Sequence, residues 1–403
     1  MSRPVAVGLA VALLALAACG GRDPAAPPPA AAPATSGGPA ARPKPPEPGA
    51  AGAQDCASCH ERLHPSLQAA HRAGPHRGLR CEDCHGADHD RIFSTDGQVS
   101  SATCGRCHEK AYAGFRRSRH GRLLKEGKAD AALRAHPAPV GSCNAVNGCH
   151  AVQRENADGS VGACAACHAA HAAAPHVARD PAVCARCHRG PDHLQWDTWA
   201  ADKHGVLWRQ QPGAGVAPAC ADCHLPGGDH DDGRGLTRSV VARHGAPPTT
   251  LLEPLSRAEH DAARAAMVAV CTACHGKRLA EATLASADDA RADALALCEE
   301  AAEIVRGLDA DGLLSPRPKD RTDNPVAGGA LVLGGKQIFD ETSSRAERLF
   351  YEMWMFDFPG LWRAAYHTDP DLVRWTARER LKTHLIELRA EAARLRAAAP
   401  PPK

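Results

Sequence analysis

The alternation of apolar and polar positions divides the chain into four textures. An apolar run from Val5 to Ala18 follows the charged start Met1-Ser2-Arg3, and it is too short to span a bilayer stably. Residues 20–53 are almost wholly Ala, Pro and Gly with a few charges, a composition that cannot bury a core and behaves as a semi-stiff tether. From about Asp55 to His275 no period persists, and only short helical patches are predicted, such as Ala111 to Gly127. Residues 277–308 and 344–396 then turn to Ala, Leu, Glu and Arg with helical periodicity, parted by a Pro/Gly-rich loop from about Ser315 to Gly335. The pattern predicts a mainly α protein whose long helices lie at the C-terminal end, packed on each other or on partner subunits. The implied boundaries are 1–19, 20–54, 55–276 and 277–400.

Composition changes this picture in one respect. Aromatic residues make up only 4% of 403 residues, against 18 Cys and 23 His, so the chain is short of the side chains that fill a core of this size. A large apolar group held only by the folded state would fill the interior and add its binding energy to stability. The charges, 48 basic and 46 acidic, are dispersed and sum to +2, which gives no basic stripe and no nucleic-acid signal. The N-terminal run has the form of an export signal. It ends in Leu16-Ala17-Ala18-Cys19, which resembles the bacterial lipobox and makes Cys19 the candidate lipidation site. Gly20 follows without an Asp that would favour inner-membrane retention. An exported periplasmic or cell-surface lipoprotein, held by its lipid in the outer membrane, is therefore expected.

Seven CxxCH motifs carry the chemistry. They supply the thiol pairs Cys56/Cys59, Cys81/Cys84, Cys104/Cys107, Cys164/Cys167, Cys184/Cys187, Cys220/Cys223 and Cys271/Cys274, each followed by a His: His60, His85, His108, His168, His188, His224 and His275. This is the c-type haem attachment pattern: two thiols add across the haem vinyl groups and the adjoining His reaches the iron as proximal ligand. Zinc ribbons or redox dithiols also use CxxC pairs, but neither requires a His directly after every pair, and c-type haem attachment takes place outside the cytoplasm, as export predicts. An eighth site departs from the rule: Cys143 and Cys149 have five residues between them, with His150 after the second. Read as attachment too, it brings the expectation to eight haem c groups in a multihaem cytochrome c fold, with a haem-packed N-terminal part of little regular structure. These sites and Cys19 leave Cys298, expected to be a buried free thiol.

Electron-transfer haems generally need a second strong ligand, whereas a haem that binds substrate leaves that position open. His71, His89, His120, His171, His204, His230 and His367 follow the motifs at short intervals and are the distal candidates. Seven distal His for eight haems leaves one open. His64, His76, His260 and His384 are expected to be solvated.

The stretch CAACHAAHAAAPHVARDPAVCARCHRGPDHLQWDTWAADKHG, from Cys164 to Gly205, resembles the octahaem hydroxylamine oxidoreductase family, as do the run CADCHLPGGDHDD and the C-terminal His-x-x-Pro at His367 to Pro370. The resemblance covers most of residues 55–396. It implies that the fourth haem, on Cys143, Cys149 and His150, is catalytic, and that Asp192 and His193 form the pair over its open face, a combination suited to proton delivery. It further implies a homotrimer built through the C-terminal helices. Oxidising members crosslink a Tyr from just beyond the His-x-x-Pro motif to the catalytic porphyrin. Here Trp375 stands in that region and no Tyr follows Tyr366; a second expected Tyr, after the seventh motif, is also missing, with His244 nearby.

These departures turn the expectation toward reduction of nitrite or hydroxylamine to ammonium, with a partner cytochrome or quinol-linked donor supplying electrons. Sulfite reduction, hydroxylamine oxidation and electron carriage without catalysis are the alternatives.

Overall fold

The computed structural model describes residues 56–121, 149–190, 193–232, 256–315 and 343–399, except for the side chains of Cys59 and His150. All of them lie in one compact unit, Asp55–Lys403. The expected helices are present, and the only β-pairing among the described residues is the isolated bridge Glu155–Val161. No described helix is long and apolar enough to cross a membrane.

The C-terminal part is an ordinary helical core. Helix Lys277–Ala310 buries Ala280, Leu284, Ala287, Arg291, Ala294, Cys298, Ala301, Val305 and Leu308 in alternating steps of four and three, with Ala302 buried beside them, the heptad spacing that keeps one seam against a partner helix. Ala occupies every seventh place from Ala280 to Ala301, so neighbours approach closely. The seam faces helices Phe358–Tyr366 and Arg378–Ala398, the latter contributing Leu381, Leu385, Leu388 and Ala392. Helix Arg345–Glu352 starts with a capping box in which Ser344 and Glu347 each accept from the other's backbone N–H. The periodic stretch 344–396 is not one helix: single turns of π-helix at Met353–Asp357 and Leu372–Ala377 interrupt it. The aromatic poverty of the whole chain hides a local wealth here, since Phe350, Trp354 and Phe358 stack in sequence with ring centres 5.9 and 6.0 Å apart. Cys298 is fully buried in this core, as its helical setting predicts.

The N-terminal part is built differently. Between residues 56 and 232 the buried apolar side chains among those described are Pro181, Ala185, Trp199 and Ala219, while every other lies at Met267 or beyond. Short helices, Cys56–Leu63, Pro65–Ala73, Cys81–His85, His89–Ser94, Ser101–Gly105 and Glu109–Arg117 among them, make up this part. The patch expected to reach Gly127 ends as a helix at Arg117. The N-terminal part and the helical part are joined where helix Gln195–Ala201 packs on Phe358–Tyr366 and Thr198 meets His367 at 2.7 Å.

His384, expected in solvent, is instead half-buried with Nδ1 2.6 Å from Asp357, which also takes Arg380 at 2.8 Å. The Asp357 hydrogen bond holds the imidazole above its ordinary value of 6.5, against the opposing effect of burial. A group whose folded value is raised stabilises fully below its unfolded value and loses that contribution as pH rises through the folded one. Stability measured by urea titration is therefore expected to fall as pH climbs from 6.5 through the raised value, and His384→Gln is expected to flatten that segment of the profile.

Candidate haem sites

The CxxCH motifs share a local form. In four of them the His N–H donates to the carbonyl of the first Cys: His108 to Cys104, His168 to Cys164, His188 to Cys184 and His275 to Cys271, at 2.9–3.0 Å. One closed helical turn thus carries both thiols and the imidazole. Where the motif reads Cys-x-Asp-Cys-His, the Asp caps the turn, accepting from the backbone N–H before the first Cys: Asp83 from Arg80 and Asp222 from Ala219, both at 2.8 Å.

In four of the motifs the two thiols are not equally placed. Cys107 and Cys274, the second thiols of the third and eighth motifs, show this. Both are exposed, as are Cys84 and Cys167, whereas the first thiols Cys104 and Cys271 are half-buried. The helix ends explain the difference. Cys104 and Cys271 belong to helices Ser101–Gly105 and Arg257–Cys271. Cys107 and Cys274 come after them, in the closing turn, each donating its N–H to the first Cys carbonyl at 3.2 Å, where no further helical turn covers the side chain.

Six of the motif imidazoles face a second one. The ring centres of His85 and His171 are 5.9 Å apart, His108 and His76 5.9 Å, His168 and His230 6.0 Å, His188 and His120 5.8 Å, His224 and His367 6.4 Å, and His275 and His204 5.9 Å. A ring nitrogen about 2 Å from a metal puts the ring centre about 3 Å from it, so two imidazoles on opposite sides of one ion stand roughly 6 Å apart. Among the described residues no three His, Cys, Asp or Glu side chains gather as a metal-holding group. Burial pushes His188 and His367 down to about 4, and His224 down as well, which keeps these rings neutral, the form that binds a metal. His188 Nδ1 is buried without a hydrogen-bond partner. Paired neutral imidazoles, paired thiols beside them and an interior short of apolar side chains fit haem c.

Five of the seven distal candidates, His120, His171, His204, His230 and His367, lie in these pairs. His71 and His89 do not; His89 packs on Phe93 and is among the charges acting on His60. His60 has His64 at 5.7 Å, but these are neighbours one turn apart rather than groups from opposite sides. His76, expected in solvent, takes the place opposite His108. It lies between the first and second motifs, as His71 does, and nothing in the spacing tells which of the two meets a motif imidazole.

Close backbone approaches position the distal rings. A Cβ on Gly205, directly after His204, would stand 2.0 Å from the Trp199 carbonyl oxygen, and one on Gly74 would meet the His171 carbonyl at 2.8 Å. His171 itself has φ +67°, a conformation costly for a residue with a side chain. Asp202 caps helix Lys203–Gln210 through Gly205 N–H at 2.7 Å, and its other oxygen lies 3.6 Å from His204 Nδ1.

The motifs also touch one another through their thiols. Cys104 hydrogen-bonds Cys164 and is lowered to about 7 by that bond; Cys184 is likewise lowered to about 7 by Cys220. Burial and the Cys149 thiol raise Cys187 to about 11, and Cys149 Sγ also lies 3.8 Å from the Arg186 carbonyl. The third motif thus adjoins the fifth, and the sixth adjoins both the seventh and the divergent site. His193 has its ring 6.4 Å from that of His188. Cys149 and His193, far apart in sequence, therefore converge on the single turn Cys184–His188. Cys143, Asp192, His244 and Cys19 lie outside the described residues.

The family described as "Seven times multi-haem cytochrome CxxCH" matches residues 77–322. The chain belongs to this family of multihaem cytochromes. Among curated proteins, the cytochrome is 26% identical over 397 residues to a probable nitrite reductase-hydroxylamine oxidoreductase fusion protein of Kuenenia stuttgartiensis, covering 81% of this chain and 46% of that one; it thus spans about half the relative's length. Among solved structures it resembles the Kuenenia stuttgartiensis reducing HAO-like protein complex, with TM-score 0.62, 22% identity and 85% of each chain covered. It also resembles a hypothetical multihaem protein, with TM-score 0.58, 18% identity and 84% and 95% coverage. These structures share the fold of the cytochrome.

Proposed function

We propose that the cytochrome is an octahaem reductase that converts nitrite or hydroxylamine to ammonium at the haem attached by Cys143, Cys149 and His150. The observation that carries this reading is the convergence of Cys149 and His193 on the turn Cys184–His188. It sets a candidate proton donor and the divergent attachment site against the same element. When bound, the haems supply one-electron carriage and an iron site for a nitrogen oxyanion. The chain supplies the rest. The six imidazole pairs, with His89 assigned to His60, would hold seven haems on both faces, and His193 with Asp192 would deliver the protons that reduction of a nitrogen oxyanion consumes. The absence of a Tyr after Tyr366 favours reduction over hydroxylamine oxidation. Export, lipidation at Cys19 and assembly as a homotrimer belong to the same proposal.

The purified protein is expected to show one high-spin haem among low-spin ones. After reduction it is expected to be reoxidised by nitrite and hydroxylamine, with sulfite as the comparison substrate. His193→Ala is expected to lower turnover by about 10²–10⁴, the usual share of a positioned acid or base, with haem content unchanged. A wholly low-spin protein that none of the three substrates reoxidises would be a carrier instead.

A further inference from the structure

The Nδ1 atoms of the distal imidazoles meet different partners. His230 Nδ1 lies 2.9 Å from the Gly228 carbonyl oxygen, and His367 Nδ1 lies 2.7 Å from the Thr198 hydroxyl. His204 has Asp202 at 3.6 Å, beyond hydrogen-bond reach. His120 alone among these four has a carboxylate in contact, with Asp232 Oδ2 2.5 Å from its Nδ1. The other oxygen of Asp232 accepts the backbone N–H of Arg119 at 2.7 Å, and Gln153 Nε2 donates to the Arg119 carbonyl at 2.8 Å. One carboxylate thus holds both the backbone and the ring of the segment that carries His120. Its side chain is 14% exposed, so solvent screens it little.

We propose that Asp232 is a positioning residue for His120: it leaves Nε2 as the nitrogen available to iron and depresses the reduction potential of the haem held by Cys184, Cys187, His188 and His120. The inference rests on the haem reading above. A carboxylate on the far nitrogen of a ligating imidazole fixes its tautomer and raises its basicity. A more basic ligand and a nearby negative charge both favour the oxidised iron, and second-shell hydrogen bonding is among the levers that set haem potential. The position gives this tuning a purpose. The Cys187 thiol touches the Cys149 thiol, so the tuned haem would neighbour the proposed reaction site, where a low potential favours passing electrons on to a bound oxyanion.

The test is a spectroelectrochemical titration of the whole protein, with haem content measured as pyridine haemochrome. In Asp232→Asn one component is expected to move to a more positive potential with the haem-to-protein ratio unchanged, while Asp232→Glu, which keeps the charge, stays near the wild type. Thr198→Val, which removes a neutral partner from His367, is expected to move its component less. If the Asn variant matures poorly, the neutral Asp232→Ser takes its place. Unchanged midpoints in the neutral variant, or an equal shift in the Glu variant, overturn the inference while leaving the haem reading standing. A wild-type protein without covalent haem overturns both.

Discussion

The double substitution Cys143→Ser, Cys149→Ser is expected to remove one haem and reduce turnover of nitrite and hydroxylamine to background, while the other seven haems stay in place. The argument is one of independence. Each CxxCH motif carries its own thiols and imidazole within one short turn, closed in four of them by a His N–H to Cys carbonyl bond, as at Cys184–His188 and Cys271–His275, so losing one attachment leaves the others intact. Cys149 is only half-buried, and its described contacts are the Arg186 carbonyl and the Cys187 thiol; a serine there disturbs no packed core. Because the cofactor does the bond breaking, its loss removes catalysis rather than weakening it. Intact mass should fall by one haem and the high-spin signal should vanish, with the low-spin spectrum and reduction by a chemical donor retained. An unchanged haem count would show that the divergent site does not attach haem. One lost haem with full activity would place the chemistry at another site.

The readable and unreadable parts of this protein divide along a physical line. Local structure was legible. The heptad of Lys277–Ala310 follows from residue spacing alone, and CxxCH fixes a turn because its groups lie within five residues. Pro359 lies in the first turn of helix Phe358–Tyr366 and Pro370 comes shortly after its end, next to the interruptions of the 344–396 stretch. Pairing was not legible, because it is tertiary. His171 follows the fifth motif yet faces the second, and His230 follows the seventh yet faces the fifth. No period records such crossings. His76 and His384 were misplaced for the same reason: their partners, His108 and Asp357, come from other elements. Nor does the motif record which thiol the fold covers, so the exposure of Cys107 and Cys274 follows from where their helices stop rather than from CxxCH. The acidic run Asp229 to Asp232 was visible, but which of its carboxylates meets an imidazole depends on the fold that brings His120 against it.

Phe358→Ala is expected to cost about 3–5 kcal/mol of stability, the usual range for removing a buried Phe from a core. The side chain is 1% exposed, its ring stacks on Trp354 at 29°, and it begins the helix that follows the π turn Met353–Asp357. It therefore sits where Arg345–Glu352, Phe358–Tyr366 and Lys277–Ala310 converge in one cluster, and the surrounding rings and π turn have little freedom to close the space. In urea titrations followed by helical circular dichroism, the midpoint should fall with the slope unchanged, the signature of lost stability rather than altered compactness. Ile386→Ala, on the last helix but 62% exposed, is the control and should change stability by no more than about 0.5 kcal/mol. Haem content should be the same in both, because thioether attachment survives unfolding. The cysteine and phenylalanine lesions thus separate the two ways this chain fills its interior. Removing a thiol pair deletes a haem and spares the bundle, whereas hollowing the bundle weakens the fold and spares the haems. A Phe358→Ala protein that lost haem in proportion to its stability would show instead that bundle and haem region assemble as one cooperative step.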